Sequence, residues 1–179
     1  MRGSWTRIND DLGDESEQIV SLTTNFTLSE LCESQTATRK NIDNTPDDAV
    51  FANLVILARG LERVRALLGG PMRISSGYRS PALNKSVGGS AKSAHMRGLA
   101  ADFTAPQFGT PLQIAHALAP HATAIGFDQL IFEGRWLHIG FPEKGTLPRY
   151  EILTATFPRY EILTATFLNG KAVYTKGIT

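Results

Sequence analysis

The stretch "SAHMRGLAADF", residues 93–103, places His95, Gly98 and Asp102 within one short segment. The run "LAADF" predicts a strand that carries Asp102, and the preceding residues predict a loop that carries His95. Gly98 allows the backbone between them to turn without steric cost. The two side chains can therefore converge on one metal ion. The alternative is structural, with a loop histidine and a strand aspartate that stabilise local turns.

A third metal-binding side chain lies in "RWLHIGF", residues 135–141. Alternation along a strand places Trp136 and His138 on one face and apolar residues on the other. His138 should therefore point into a site or into solvent. Two histidines and one carboxylate are a typical open, three-ligand zinc site. His116 and His121, on a predicted helix and in a turn, are interpreted as surface residues.

Composition limits the alternatives. The 179 residues suit one domain with a small appendage, and a single cysteine, Cys32, excludes an internal disulfide. Any metal site must then use His, Asp or Glu. A net charge of +1 without a basic run makes nucleic acid an unexpected partner. Membrane insertion is not expected, because no apolar run approaches the roughly 18 residues of a span.

The N-terminal half predicts helices. We expect residues 1–20 to be a flexible segment without a secretory signal, which implies synthesis in the cytoplasm. Thr27 and Glu30 are spaced as the capping box of a short helix. A long helix follows, with Thr45 as its cap and Pro46 at its first position. Its apolar residues, at steps of three and four up to Leu68, form one buried face.

Short strands are predicted further along. They are "MRIS" (72–75), "LAADF" (99–103), "FDQLIF" (127–132) and "WLHIGF" (136–141), the last two joined by a tight turn. A helix is expected over 110–120. Residues 76–95 predict a long irregular stretch, which in a compact domain is usually functional or disordered.

The C-terminal segment contains an exact tandem copy. "PRYEILTATF" occurs at 148–157 and again at 158–167. Because ten is even, both copies present the same face to a sheet. We expect the copies to compete for one edge-strand position, with the other copy forming a loop or an extra hairpin.

The segments 76–103 and 127–141 together resemble the zinc D-Ala-D-Ala carboxypeptidase family, which includes bacterial carboxypeptidases and phage endolysins that cut L-alanyl-D-glutamate bonds. The family signature is a Ser-x-His-x6-Asp segment followed by a Trp-x-His strand. The matching residues are Ser93, His95, Asp102, Trp136 and His138. The resemblance covers roughly residues 22–142.

The resemblance implies an α+β fold of the hedgehog/DD-peptidase type: a small, mostly antiparallel sheet with packed helices and zinc in a cleft on the sheet. It implies zinc bound by His95, Asp102 and His138. Arg79 matches the family's substrate-binding arginine, and a guanidinium can bind a peptide carboxylate bidentately; the alternative is a surface salt bridge. Ser93 would bind substrate or hold the loop.

Two aromatic residues, Tyr78 and Trp136, are candidates to line the cleft. The general base is less directly implied. Many family members carry an acid three residues before the last histidine, where this chain has Arg135. Glu133 is the nearest carboxylate, and a two-residue turn would place it on the face of His138; otherwise it is an exposed turn residue. Asp128 is the reserve candidate.

The implied function is hydrolysis of amide bonds in peptidoglycan stem peptides at the bacterial cell wall. We expect a monomer. Residues 21–147 would form the peptidase domain, and residues 148–179 a C-terminal strand segment. The motifs leave carboxypeptidase and endopeptidase, and phage and bacterial origin, open. The alternative function is a non-catalytic zinc-containing module that binds the cell wall, which the arginine at position 135 favours.

Overall fold

The computed structural model describes residues 19–154, 163–168 and 171–176. These residues form an α+β fold in which helices pack on a mixed, mostly antiparallel sheet. The expected α+β class is confirmed. Most of the N-terminal segment expected to be flexible, residues 1–18, lies outside the described residues. Within those ranges, no helix is both long enough and apolar enough to span a membrane.

Helices come before the first strand and between later strands along the chain, and they pack on the sheet. They are α1 (Leu28–Cys32), α2 (Gln35–Lys40), α3 (Asp48–Leu68), α4 (Pro81–Ser86), a 3-10 turn (Ala94–Arg97), α5 (Pro111–Leu118), a second 3-10 turn (Ala119–His121) and α6 (Ala122–Ile125). Thr27 caps α1 by accepting a hydrogen bond from the Glu30 amide, as the sequence predicted. The capping box at the start of α5 is complete, because Thr110 and Gln113 bond reciprocally.

The strands are β1 (Arg73–Ser76), β2 (Ala100–Thr104), β3 (Gln129–Phe132), β4 (Leu137–Gly140), β5 (Glu151–Thr154), β6 (Leu163–Leu168) and β7 (Lys171–Lys176). Their order in the described part of the sheet is β1-β2-β4-β3-β5-β6-β7. The β3–β5 pair is parallel and the other pairs are antiparallel. Strands β2 and β4, far apart in sequence, are therefore neighbours.

The core lies between α3 and one face of the sheet. Leu54, Leu57 and Leu61 of α3 are fully buried together with Phe103 of β2 and Ile139 of β4. Alternation then turns the polar residues of β2 and β4 to the opposite face. The predicted division of "WLHIGF" into an apolar face and a His138 face is therefore confirmed.

Two local predictions were wrong. The long helix begins after Asp47, whose carboxylate accepts from the Val50 amide, so Thr45 is not the cap and Pro46 precedes the helix. Asp47 is placed to reach the first free amides, whereas the Thr45 amide itself donates to Asp43. The stretch 76–95 is not irregular throughout, because Ser80 caps α4 at Leu83 and Pro81 occupies its first turn.

The two copies of the duplicated segment occupy different strands. The first copy supplies β5, which pairs in parallel with β3. The second copy supplies most of β6, which pairs with β5 through Ile152 and Ala165 and forms a hairpin with β7. The second copy thus lies farther than the first from β2 and β4.

Deletion of residues 158–167 is expected to leave the domain folded. The residues 153–157 repeat those that β6 presents to β7, so one strand can pair with both β3 and β7 in the shortened chain. We expect the melting temperature to stay within about 4 °C, equivalent to about 1 kcal/mol for a chain of this size. Thermal unfolding followed by circular dichroism measures this. Aggregation of the deletion variant would contradict the expectation.

Candidate metal centre

Three side chains meet on the polar face of the sheet. The Nε2 atom of His95 lies 3.1 Å from Nδ1 of His138 and 3.2 Å from Oδ1 of Asp102, and that oxygen lies 3.0 Å from Nδ1 of His138. Each residue therefore presents one potential ligand atom to the same point. Within the described residues, His95, Asp102 and His138 are the three His, Cys, Asp or Glu side chains that lie close enough together to hold a metal ion.

Strand register brings two of these residues together. Asp102 of β2 is directly opposite His138 of β4 in the antiparallel pair. Cross-strand neighbours of this kind have side chains on the same face and close to each other. The third residue, His95, comes from the 3-10 turn before β2, and Gly98 ends that turn in the left-handed conformation at φ 69°. The glycine at this position permits the close return of the chain.

His95 is held in one orientation and one tautomer. Its Nδ1–H donates to the Gly77 carbonyl at 2.6 Å, which leaves Nε2 unprotonated and facing the cluster. Metal-binding histidines usually donate their second nitrogen to a carbonyl or carboxylate in this way. His95 is only 1% exposed. Burial lowers its pKa, which favours the neutral imidazole that a metal requires.

The donor set and its dimensions fit zinc. Ligands about 2.0–2.1 Å from a tetrahedral zinc ion lie about 3.3 Å apart. The three separations of 3.0, 3.1 and 3.2 Å approach that value closely. Two imidazole nitrogens and one carboxylate oxygen are also donors that zinc accepts in catalytic sites. A fourth position would remain for water or substrate.

Asp102 stays ionised in this setting. Burial by itself would raise the pKa of its carboxyl, but the neighbouring imidazoles, first of all the hydrogen bond with His138, outweigh burial. The pKa is therefore held well below its usual range. The centre consequently offers a carboxylate and a neutral imidazole at physiological pH, before any metal binds.

Arg79 borders the cluster. Its Nη2 atom lies 3.7 Å from Oδ2 of Asp102, and its side chain is 19% exposed. Burial lowers the pKa of the guanidinium, and the nearby carboxylates of Asp102 and Glu133 counteract this. The structure therefore places Arg79 at the centre rather than in a salt bridge on the open surface.

Glu133 also faces the centre. Its amide donates to the Trp136 carbonyl at 3.0 Å, and Gly134 adopts φ 76°, so a tight turn joins β3 to β4. The register of Ile131 opposite His138 then puts Glu133 on the His138 face. Burial and the charge of Asp102 raise the pKa of Glu133. A raised pKa makes a carboxylate a better proton acceptor.

A cleft of about 520 Å³ adjoins the centre, and Tyr78, Arg79 and Asp102 line it together with Ser76 and residues of α1 and α2. Trp136 is half-buried, and its indole N–H is itself buried, with the Glu133 carboxylate as the nearby acceptor. Ser93 precedes the 3-10 turn of His95 without capping it through its side chain.

The other candidates lie away from the cluster. Both carboxylate oxygens of Asp128 bond to Arg149, so the reserve base is already engaged in an ion pair. His116 and His121 are exposed, as the sequence predicted. The sequence interpretation missed Gly77, whose carbonyl fixes His95. The one sequence feature that could have indicated this role is the position of the glycine between a predicted strand and Tyr78.

Gly77→Ala is expected to disturb the centre. An added Cβ would overlap the Leu31 carbonyl oxygen at the end of α1, so the segment bearing the His95 acceptor must shift. Overpacking of this kind costs about 1–3 kcal/mol of unfolding free energy. Chemical denaturation should show a lower free energy of unfolding, and zinc titration should show a lower affinity for zinc. Gly70→Ala is the matched control, because its Cβ would meet only the tip of Gln107 at an ordinary 3.6 Å. Equal behaviour of the two variants would contradict the prediction.

The sequence pattern of the family described as Peptidase M15 matches residues 24–139 of the chain. The match includes α1, the whole of α3 and the three residues of the cluster. A search of curated proteins gave no significant match.

Proposed function

The chain belongs to the peptidase M15 family, and on that premise we propose that it is a zinc metallopeptidase that hydrolyses amide bonds in peptidoglycan stem peptides. The observation that carries the proposal is the triangle of His95, Asp102 and His138, with ligand atoms 3.0–3.2 Å apart. We assign the peptidase domain to residues 21–147 and the hedgehog/DD-peptidase fold to it. Residues 148–179 are assigned to a separate C-terminal strand segment.

When bound, zinc supplies a Lewis acid that polarises the scissile carbonyl and lowers the pKa of a water molecule toward about 7. Glu133 takes a proton from the attacking water and delivers it to the leaving amine. Its burial beside Asp102, which raises its pKa, supports this role.

Arg79 binds the substrate. A guanidinium with a single loose contact of 3.7 Å to Asp102 has donors free for a peptide carboxylate or for the oxyanion that develops at the carbonyl. Tyr78 lines the cleft beside Arg79, and we assign Trp136, at the turn that carries Glu133, to the same substrate-binding surface. Ser93 supports the loop that enters the His95 turn.

Digestion of purified peptidoglycan, followed by mass spectrometry, tests this function. Loss of a terminal D-alanine indicates a carboxypeptidase, and peptides with a new D-glutamate amine indicate an endopeptidase. Either cleavage should stop when a zinc chelator is added. If the folded, zinc-loaded protein binds cell wall without cutting it, the peptidase proposal fails and a non-catalytic binding module takes its place.

A further inference from the structure

The backbone from Gly77 to Ser80 leaves β1 and runs without a neighbouring strand. Its polar groups nevertheless need partners, because unpaired backbone groups in a buried segment are costly. The Gly77 carbonyl accepts from His95, the Tyr78 amide donates to the Leu31 carbonyl at 2.7 Å, and the Arg79 amide donates to the His95 carbonyl at 3.2 Å. Two further groups, the Tyr78 carbonyl and the Ser80 amide, lie directly before and directly after Arg79.

One side chain satisfies both of these groups. The Nδ2 group of Asn44 donates to the Tyr78 carbonyl at 3.1 Å, and its Oδ1 atom accepts from the Ser80 amide at 2.7 Å. The same Nδ2 group donates to the Cys32 carbonyl at 2.8 Å, at the end of α1. Asn44 thus bonds to the chain immediately before and after Arg79, as a neighbouring strand would.

Arg79 has little else to orient it. Its Nε–H is buried without a partner among the described residues, and its nearest carboxylate, on Asp102, lies 3.7 Å away. The direction of its guanidinium therefore depends on the position of its own backbone. The position of that backbone depends on Asn44 on both sides.

We propose that Asn44 is a positioning residue that holds Arg79 in the orientation needed to bind substrate beside the metal centre. The proposal rests on the proposed function, since it assigns substrate binding to Arg79. Asn44 lies in the loop before α3 and does not belong to the His95–Asp102–His138 cluster. Its loss should therefore affect substrate recognition without removing zinc.

Asn44→Ala is expected to lower kcat/KM by about 10- to 100-fold, the range associated with misplacement of a binding group by about 1 Å. The loss should appear in KM more than in kcat, and bound zinc should remain at the wild-type level. Most directly, Asn44→Ala should change kcat/KM less than about twofold when Arg79 is already alanine, because groups that act as one unit are non-additive. A merely structural role would give the same loss in both backgrounds.

Asn25→Ala is the matched control. The Asn25 side chain also makes a long-range hydrogen bond, from Nδ2 to Glu62, but none to the segment of Arg79. It should leave KM unchanged. If the alanine variant of Asn44 does not fold, Asn44→Asp replaces it, because this variant keeps the acceptor for Ser80 and puts a charged carboxylate oxygen in place of the donor to the two carbonyls.

Hydrogen exchange separates failure of this proposal from failure of the proposed function. The Arg79 amide bonds to His95 and not to Asn44, so its exchange reports on the segment itself. In Asn44→Ala we expect this amide to exchange at least about tenfold faster, while the Leu57 amide in α3 keeps its rate. This holds even if the wild-type protein cleaves no stem peptide. Unchanged exchange of the Arg79 amide, or equal kinetic losses in both backgrounds, would overturn the proposal.

Discussion

His138→Ala is expected to abolish both bound zinc and hydrolytic activity. The substitution removes one of the three ligand atoms and leaves Asp102 facing an empty position across the β2–β4 pair. Loss of an outer-shell partner alone costs about 10–100-fold in metal affinity or activity, so loss of a ligand should exceed about a thousandfold. The apolar face of β4 is untouched, and the protein should remain folded.

Metal analysis of the purified variant, together with the peptidoglycan digestion, measures the effect of His138→Ala. His116→Ala is the control, because His116 is an exposed histidine on α5 outside the cluster. The control should keep one zinc per chain and full activity. Full activity in the His138 variant would refute the ligand assignment.

Glu133→Gln should separate metal binding from catalysis. The glutamine side chain keeps the size of the glutamate, and the backbone bond from residue 133 to Trp136 that closes the β3–β4 turn is unaffected, so the centre should retain zinc. The glutamine side chain cannot accept a proton, and we expect kcat to fall by about 10²–10⁴-fold. KM should change much less, since the substrate contacts proposed for Arg79 remain.

Steady-state kinetics and metal analysis on the same preparation test the role of Glu133. Glu143→Gln is the control, because Glu143 is exposed and pairs with Arg97 rather than with the centre. If Glu133→Gln turns over normally, the base lies elsewhere. Asp128→Asn would then be tested, although its carboxylate is already bound by Arg149.

Local patterns in the sequence were sufficient for much of the fold. The apolar steps of three and four along α3 correctly predicted its buried face, and alternation in "WLHIGF" correctly predicted which face His138 would occupy. The start of α3 was misplaced because Thr45 and Asp47 are both good caps. In the structure Asp47 is the cap, because its carboxylate accepts from the Val50 amide. The spacing of the residues does not show which of two neighbouring residues caps the helix.

Long-range geometry could not be predicted in the same way. The sequence suggested that His95, Asp102 and His138 act together, but not that Asp102 would lie opposite His138 in adjacent strands. That register depends on how β2 and β4 pack over α3. The contacts of Asn44 could not be predicted from the sequence, because its partners Tyr78 and Ser80 lie more than thirty residues away.

Titration of the chelator-treated protein with zinc, while release of stem-peptide fragments is followed, tests whether one zinc ion at this centre supports amide hydrolysis. We expect hydrolysis to be absent without metal, to rise in proportion to added zinc and to level off at one equivalent per chain. Hydrolysis that persists in the metal-free protein, or that stays absent from the folded protein at one equivalent, would contradict this expectation.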